Sequence, residues 1–222
     1  MRTALVTGSE GFIGRHVRQS LERDGYAVFA CDLRERVYPG DCRDVFRHEI
    51  DGCRLTFDLV VHCAALVNGR ETIDGNPATV AAYNLQLDAA MFEWALRARP
   101  GRIVYLSSSA AYPVRLQGGG SFGTARPLME GRPGLPHLAD QTYGYVKAVG
   151  ERLAVEVRAA GVPVTVVRPF SGYGADQDGC YPFPAMIARA LARKSPFDVW
   201  GDGRQVRDFV HVDDICAAVL AL

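Results

Sequence analysis

The sequence predicts an α/β protein: a doubly wound parallel sheet with helices on both faces. Three observations carry this expectation. Short apolar runs rich in β-branched residues recur along the chain. Longer stretches with helical spacing separate them. A glycine-rich turn joins the first run to the first such stretch. Strands buried on both faces read as continuous apolar runs, and strands alternating with helices build βαβ units.

The elements follow in order. Residues 2–7 are an apolar run that stops at Gly8, and residues 13–23 have helical periodicity. Residues 26–31 form the second run, with Asp32 directly after it. Residues 58–63 (DLVVHC), 102–106 (RIVYL) and 162–167 (VPVTVV) are the next three. Residues 78–97 and 143–160 are the long helical stretches between them, and residues 117–136, rich in Gly and Pro, read as a surface loop. Residues 212–222 start a helical pattern and stop without a C-cap glycine, which reads as a chain cut short.

Composition narrows the function. The 25 basic and 25 acidic side chains cancel, so the chain lacks the basic excess of a nucleic-acid binder. No run of apolar residues is long enough for a transmembrane helix. Met1 is followed by a strand-and-turn pattern and not by a signal peptide. Six cysteines occur without a CxxC pair or a histidine at metal-ligand spacing. They read as reduced thiols of a cytoplasmic protein, with no metal site expected.

Gly8, Gly11 and Gly14 fall between the first strand and the first helix. A turn there needs positive φ, a pyrophosphate needs bare backbone, and the helix must pack close to the strand. The helix N-terminus then offers N–H groups and partial positive charge to phosphates. Asp32, at the end of the second strand, is placed to accept hydrogen bonds from ribose hydroxyls. Its charge repels a 2′-phosphate, which favours NAD over NADP; Arg34 and Arg36 weaken that preference.

Tyr143 and Lys147 are four apart on a helix and emerge on one face. A phenol titrates near ~10, so acting as a base at neutral pH requires nearby positive charge, from the lysine and from an oxidised nicotinamide ring together. Ser107, Ser108 and Ser109 follow the RIVYL strand at the sheet edge where ligands bind in open parallel sheets. The segment 119–123 matches GxSxG, but in a Gly-rich loop and not on a strand-to-helix turn, so it does not read as a hydrolase elbow.

These pieces resemble the extended short-chain dehydrogenase/reductases, specifically the NAD-dependent nucleotide-sugar epimerase/dehydratase family. The matching segments run over the whole chain: TGSEGFIG at 7–14, CD at 31–32, GDCRD at 40–44, DLVVHCAA at 58–65, LSSSAAY at 106–112, YGYVK at 143–147, RPFSGYG at 168–174 and GDGRQVRDFVHVDD at 201–214. The resemblance implies a Rossmann-type NAD-binding domain over 1–170 and the start of a smaller substrate-binding lobe over 171–222. It assigns Gly8, Gly11, Phe12, Ile13 and Gly14 to the pyrophosphate, Asp32 to the ribose, and Asp41 and Cys42 to the adenine. Ala64 and Ala65 line the dinucleotide groove, Asn84 supports it, and Pro169 borders it. Tyr143 is the base, Lys147 its partner and Ser108 the catalytic serine, by counting back from Tyr112. Ser108, Ser109, Ser171 and Arg207 meet the substrate, a nucleotide-diphosphate sugar.

The chain departs from the family pattern at 111–113, where AYP replaces VYG, and at Ser171, which stands for asparagine. Related dehydratases carry an Asp-Glu pair at the positions of Ser109 and Ala110. The resemblance therefore implies epimerisation through a 4-keto sugar, with dehydration, decarboxylation, keto-sugar reduction or non-catalytic dinucleotide binding as alternatives. It also implies a homodimer built from the helices at 78–97 and 143–160, since Leu85, Leu87, Met91, Phe92, Trp94 and Leu96 exceed one packing stripe.

Overall fold

The computed structural model describes residues 1–34, 40–47, 56–67, 69–117, 128–129, 139, 142–199, 201 and 206–222, with backbone alone for 70, 71 and 115. Five parallel strands, β1 (Thr3–Thr7), β2 (Ala27–Cys31), β3 (Leu59–His62), β4 (Arg102–Leu106) and β5 (Val164–Val167), lie in the order β2-β1-β3-β4-β5. The chain leaves β1 to one side for β2 and returns on the other side for β3. The carboxyl ends of β1 and β3 therefore flank a topological switch point, where open α/β sheets bind ligands.

Alternate residues of each strand feed two cores. Ala4, Val6, Leu59, Val61, Val104 and Leu106 pack with Val17 and Leu21 of α1 (Phe12–Arg23) on one face. Leu5, Val60, Ile103 and Tyr105 face the other side. There they meet α2 (Cys42–Arg47), α4 (Pro77–Ala98) and α6 (Tyr143–Ala159) through Phe46, Leu87, Met91, Trp94, Ala154 and Val157. Pro77 opens α4, where its missing N–H costs no hydrogen bond, and Arg99 closes it in the left-handed region at φ 52°. The short helices α3 (Gly69–Gly75) and α5 (Val114–Gln117) lie in the connections.

Beyond β5, β6 (Ser171–Tyr173) and β7 (Phe209–His211) form a separate parallel pair, with α7 (Pro182–Leu191) between them in sequence. This pair was not legible in the sequence, because three-residue strands carry no period. The last helix, α8 (Val212–Ala221), packs back against α1 and places Val212, Cys216 and Val219 in the core under β1 and β3. The GxSxG segment at 119–123, Arg36 and Cys53 lie outside the described residues.

Candidate active site

The glycine turn has the geometry its residues demand. Gly8 sits at φ 67°, and a Cβ there would lie 2.7 Å from the Ala64 nitrogen and 2.8 Å from its Cα. A Cβ on Gly14 would meet the Gly8 carbonyl oxygen at 2.0 Å. The turn is held by Gly8 N–H donating to Cys31 O at 2.8 Å and Gly11 N–H donating to Gly8 O at 3.0 Å. Gly11 is the N-cap of α1 and has no side chain to cap it, so the first N–H groups of the helix remain available. Ser9 adds a buried hydroxyl with no partner among the described residues. Bare backbone, an uncapped helix start and an orphaned hydroxyl fit the pyrophosphate of a dinucleotide. The Phe12 and Ile13 side chains instead pack into the core, so these two residues have only their backbone N–H groups to offer a phosphate.

Asp32 directly follows β2 beside this turn. One carboxylate oxygen accepts the Glu10 N–H at 3.1 Å and the other the Arg34 N–H at 2.9 Å. Arg34 Nε stands 3.6 Å from Asp32, so a cation does sit next to this acid, as the sequence suggested. Asn84 clamps the segment after β3: its amide accepts Leu66 N–H at 2.7 Å and donates to Leu66 O at 3.0 Å. Ala64 and Ala65 are thereby held along the crevice. Asp41 is engaged by the Arg43 guanidinium, which holds its carboxyl below the ordinary range, and by the Tyr83 hydroxyl at 3.2 Å. Cys42 is buried, and burial pushes its thiol up. For an adenine, Cys42 thus offers its backbone only.

The second part of the site lies at the carboxyl end of β4. Ser107 to Ser109 divide their tasks. Ser107 is buried and donates to Glu151 Oε1 at 2.5 Å. Ser108 accepts the Ala110 N–H at 3.1 Å and so caps a 3-10 turn over Ser109–Ala111. Ser109 N–H donates to Pro169 O at 3.4 Å, which ties this turn to the strand end at 168–169. Ala111 packs on Ala148 of α6, so the turn lies against the helix that carries Tyr143 and Lys147.

Lys147 is almost fully buried, at 1% exposure. Its Nζ lies 5.9 Å from the centroid of the Tyr143 ring. Burial raises the Tyr143 phenol above its ordinary value, and Lys147 pulls against that shift. The lysine alone therefore does not lower it, because desolvating the phenolate outweighs one ammonium at this distance. Glu151 continues the same helical face and forms a buried ion pair with Arg168, whose guanidinium lies 4.4 Å over the Tyr112 ring. The Glu151–Arg168 pair escaped the sequence reading; the spacing of Tyr143, Lys147 and Glu151 every four residues was the signal for it.

Ser171 lies on the small sheet, and Arg207 lies before its second strand. Ser171 is in register with Phe209, and exposed Arg207 is two residues before Phe209. Cys180 contacts Gly69, where a Cβ would stand 3.2 Å from its Sγ, and burial pushes its thiol up.

Known proteins agree with this architecture. The family model for the NAD dependent epimerase/dehydratase family matches residues 4–222. A dTDP-4-dehydro-6-deoxy-D-allose reductase from a Streptomyces species is 31% identical over 260 residues, covering 100% of this chain and 72% of the relative. An uncharacterized UDP-glucose epimerase of Bacillus subtilis is 26% identical, covering 98% and 71%. The structure of MoeE5 in complex with UDP-glucose and NAD superposes with a TM-score of 0.76 at 29% identity, covering 99% of this chain and 71% of that one. The match of sequence motifs, strand order and glycine crevice has one conclusion: the chain belongs to the NAD-dependent epimerase/dehydratase family, whose cofactor is NAD.

Proposed function

We propose that this chain is a nucleotide-sugar epimerase that oxidises the sugar at C4 to a ketone and returns hydride to the opposite face. The observation that carries the reading is half-buried Tyr143 with buried Lys147 one helical turn away, beside the Ser108 turn and at the same sheet edge as the Gly8–Ala64 crevice. Bound NAD supplies the hydride acceptor. Gly8, Gly11, Gly14 and Asp32 bind and orient the dinucleotide. Tyr143 removes the proton of the sugar hydroxyl as general base, and Ser108 holds the same oxygen in place. Lys147 stabilises the phenolate form of Tyr143, whose charge is neutralised when it takes the proton. Arg207 binds the diphosphate, with Ser109 and Ser171 on the sugar. Residues 1–170 form the dinucleotide half, and residues 171–222 begin the substrate lobe, with α8 packed back on α1. We further read the protein as a cytoplasmic homodimer.

Ser109 and Ala110 lack a titratable side chain, which argues against 4,6-dehydration. A second reading, keto-sugar reduction, is favoured by the 31% identical reductase. A panel of UDP-, dTDP- and GDP-sugars with NAD, followed by nicotinamide absorbance and product NMR, separates these. Epimerisation gives a C4 epimer with no net NADH. A reductase consumes reduced cofactor mole for mole with a keto-sugar. A dehydrated 4-keto-6-deoxy product overturns the reading.

A further inference from the structure

A buried ammonium is costly unless a counter-charge and hydrogen bonds offset its lost hydration. Lys147 Nζ lies 4.0 Å from Asp88 Oδ1, the one carboxylate oxygen within ion-pair reach of it among the described residues. Asp88 comes from α4 and is itself only 2% exposed. Its Oδ2 accepts the Tyr105 hydroxyl at 2.5 Å. Its Oδ1 lies 3.3 Å from His62 Nε2 without hydrogen-bond alignment, and neither atom has a hydrogen-bond partner among the described residues.

The chain of contacts continues to the dinucleotide crevice. His62 Nδ1 is 2.8 Å from Thr7 Oγ1, which also accepts the Ala64 N–H at 3.3 Å. The direction of the Thr7–Nδ1 bond follows the tautomer of the ring, since a hydroxyl both donates and accepts. A neutral ring that accepts from Thr7 carries its proton on Nε2, the nitrogen on the Asp88 side. Thr7, His62 and Tyr105 are paired in register across β1, β3 and β4, so one rung of the sheet supplies three polar side chains to the α4–α6 face. Burial holds His62 below its ordinary pKa. Burial also pushes Asp88 up, but Lys147, His62 and Tyr105 outweigh it and the carboxyl stays ionised.

We propose that Asp88 is a positioning residue: it is the buried counter-ion that keeps the Lys147 ammonium beside Tyr143, with the Tyr105 hydroxyl bonded to the carboxylate and His62 facing it. The proposal rests on the reading of Tyr143 as the base. The other titratable groups around the lysine leave Asp88 as the negative charge that faces it. Cys63, after β3, is a thiol that burial pushes up to about 12. Tyr105 on β4 is pushed well above its ordinary value, also by burial. Glu151 on α6 is paired with Arg168, and burial pushes Tyr181, beyond β6, up to about 12.

Removing a negative charge favours the deprotonated form of every neighbour. Asp88→Asn should therefore move the limbs of the pH profile for NAD reduction to lower pH. The assay is single-turnover NAD reduction by the nucleotide sugar of the panel that reacts fastest. Limbs that coincide with the wild type, at whatever height, overturn the proposal. Tyr143→Phe, run alongside, separates the two readings. Persistent NAD reduction there sinks the base assignment and the proposal with it; loss there with unmoved Asp88→Asn limbs sinks the proposal alone. Thermal unfolding gives an independent readout. Asp88→Asn should destabilise the wild type clearly and a Lys147→Met background little, since the asparagine then faces no charge. Equal destabilisation in both backgrounds overturns the pairing, as does failure of both the single and the double variant to fold.

Discussion

At the scale of single residues, the site separates into groups that do chemistry and groups that hold them. Tyr143→Phe keeps the ring and its packing while removing the proposed proton acceptor. General acid–base groups contribute about 10²–10⁴-fold, so turnover should fall within that range while NAD affinity, measured by calorimetry, changes little. Of the three serines, Ser107 is bonded to Glu151 and Ser108 to the 3-10 turn. Ser108→Ala should lower turnover with NAD binding retained, and Ser109→Ala should be milder. A more damaging Ser109→Ala places the catalytic hydroxyl one residue later. The serine cluster itself was readable from the sequence. Their division of labour was not, because it depends on Glu151, far away in the chain.

At the scale of elements, α6 does two jobs with one face. It presents Tyr143 and Lys147, and it passes close enough to β4 for Tyr105 to reach Asp88 on α4. Gly150 allows that passage: a Cβ there would stand 2.0 Å from the Tyr105 hydroxyl and 2.8 Å from Asp88 Oδ2. Overpacking of this kind costs about 1–3 kcal/mol, against the up to ~1 kcal/mol that alanine returns in helix propensity. Gly150→Ala should therefore lower the Tm by several degrees in calorimetry and impair turnover with it. A variant as stable and active as the wild type shows that α6 shifts without consequence. In the sequence this glycine looks like a weak point of a helix; the structure gives it a reason.

At the scale of the whole molecule, two expectations concern assembly and pH. Leu87, Met91, Phe92 and Trp94 of α4, with Val146 and Val157 of α6, are buried within the subunit, so they are not surplus surface. What these helices leave outside is Leu96, Tyr145 and Val155, each at least 40% exposed. Leu85, Val149 and Leu153 are half-buried beside them. An isologous dimer through these residues predicts a dimer by sedimentation at micromolar concentration and a monomer for Tyr145→Glu/Val155→Glu. The pH dependence follows from His62. Its folded pKa lies below the ordinary 6.5 because of burial. The unfolded chain therefore binds a proton that the folded chain refuses. The contribution is fully present above pH 6.5 and is lost as pH falls below it. Thermal unfolding should show Tm dropping between pH 7.5 and 5.5, with a shallower drop in His62→Gln.

The sequence by itself determined the parallel α/β architecture, the glycine turn, Asp32 and the Tyr143–Lys147 pair. Each rests on a local signal: apolar runs of strand length, a turn that needs positive φ, an acid at a strand end, two side chains one helical turn apart. Only the tertiary structure decided that the Phe12 and Ile13 side chains pack against the core, that α8 returns to the first core, and that Ser107 serves Glu151. It alone brought Thr7, His62, Asp88 and Tyr105 to Lys147. Those residues come from three strands and a helix, and in sequence His62 is one more member of an apolar run. A parallel sheet aligns distant segments in register, so the polar groups at its carboxyl ends become neighbours only when the strands pair.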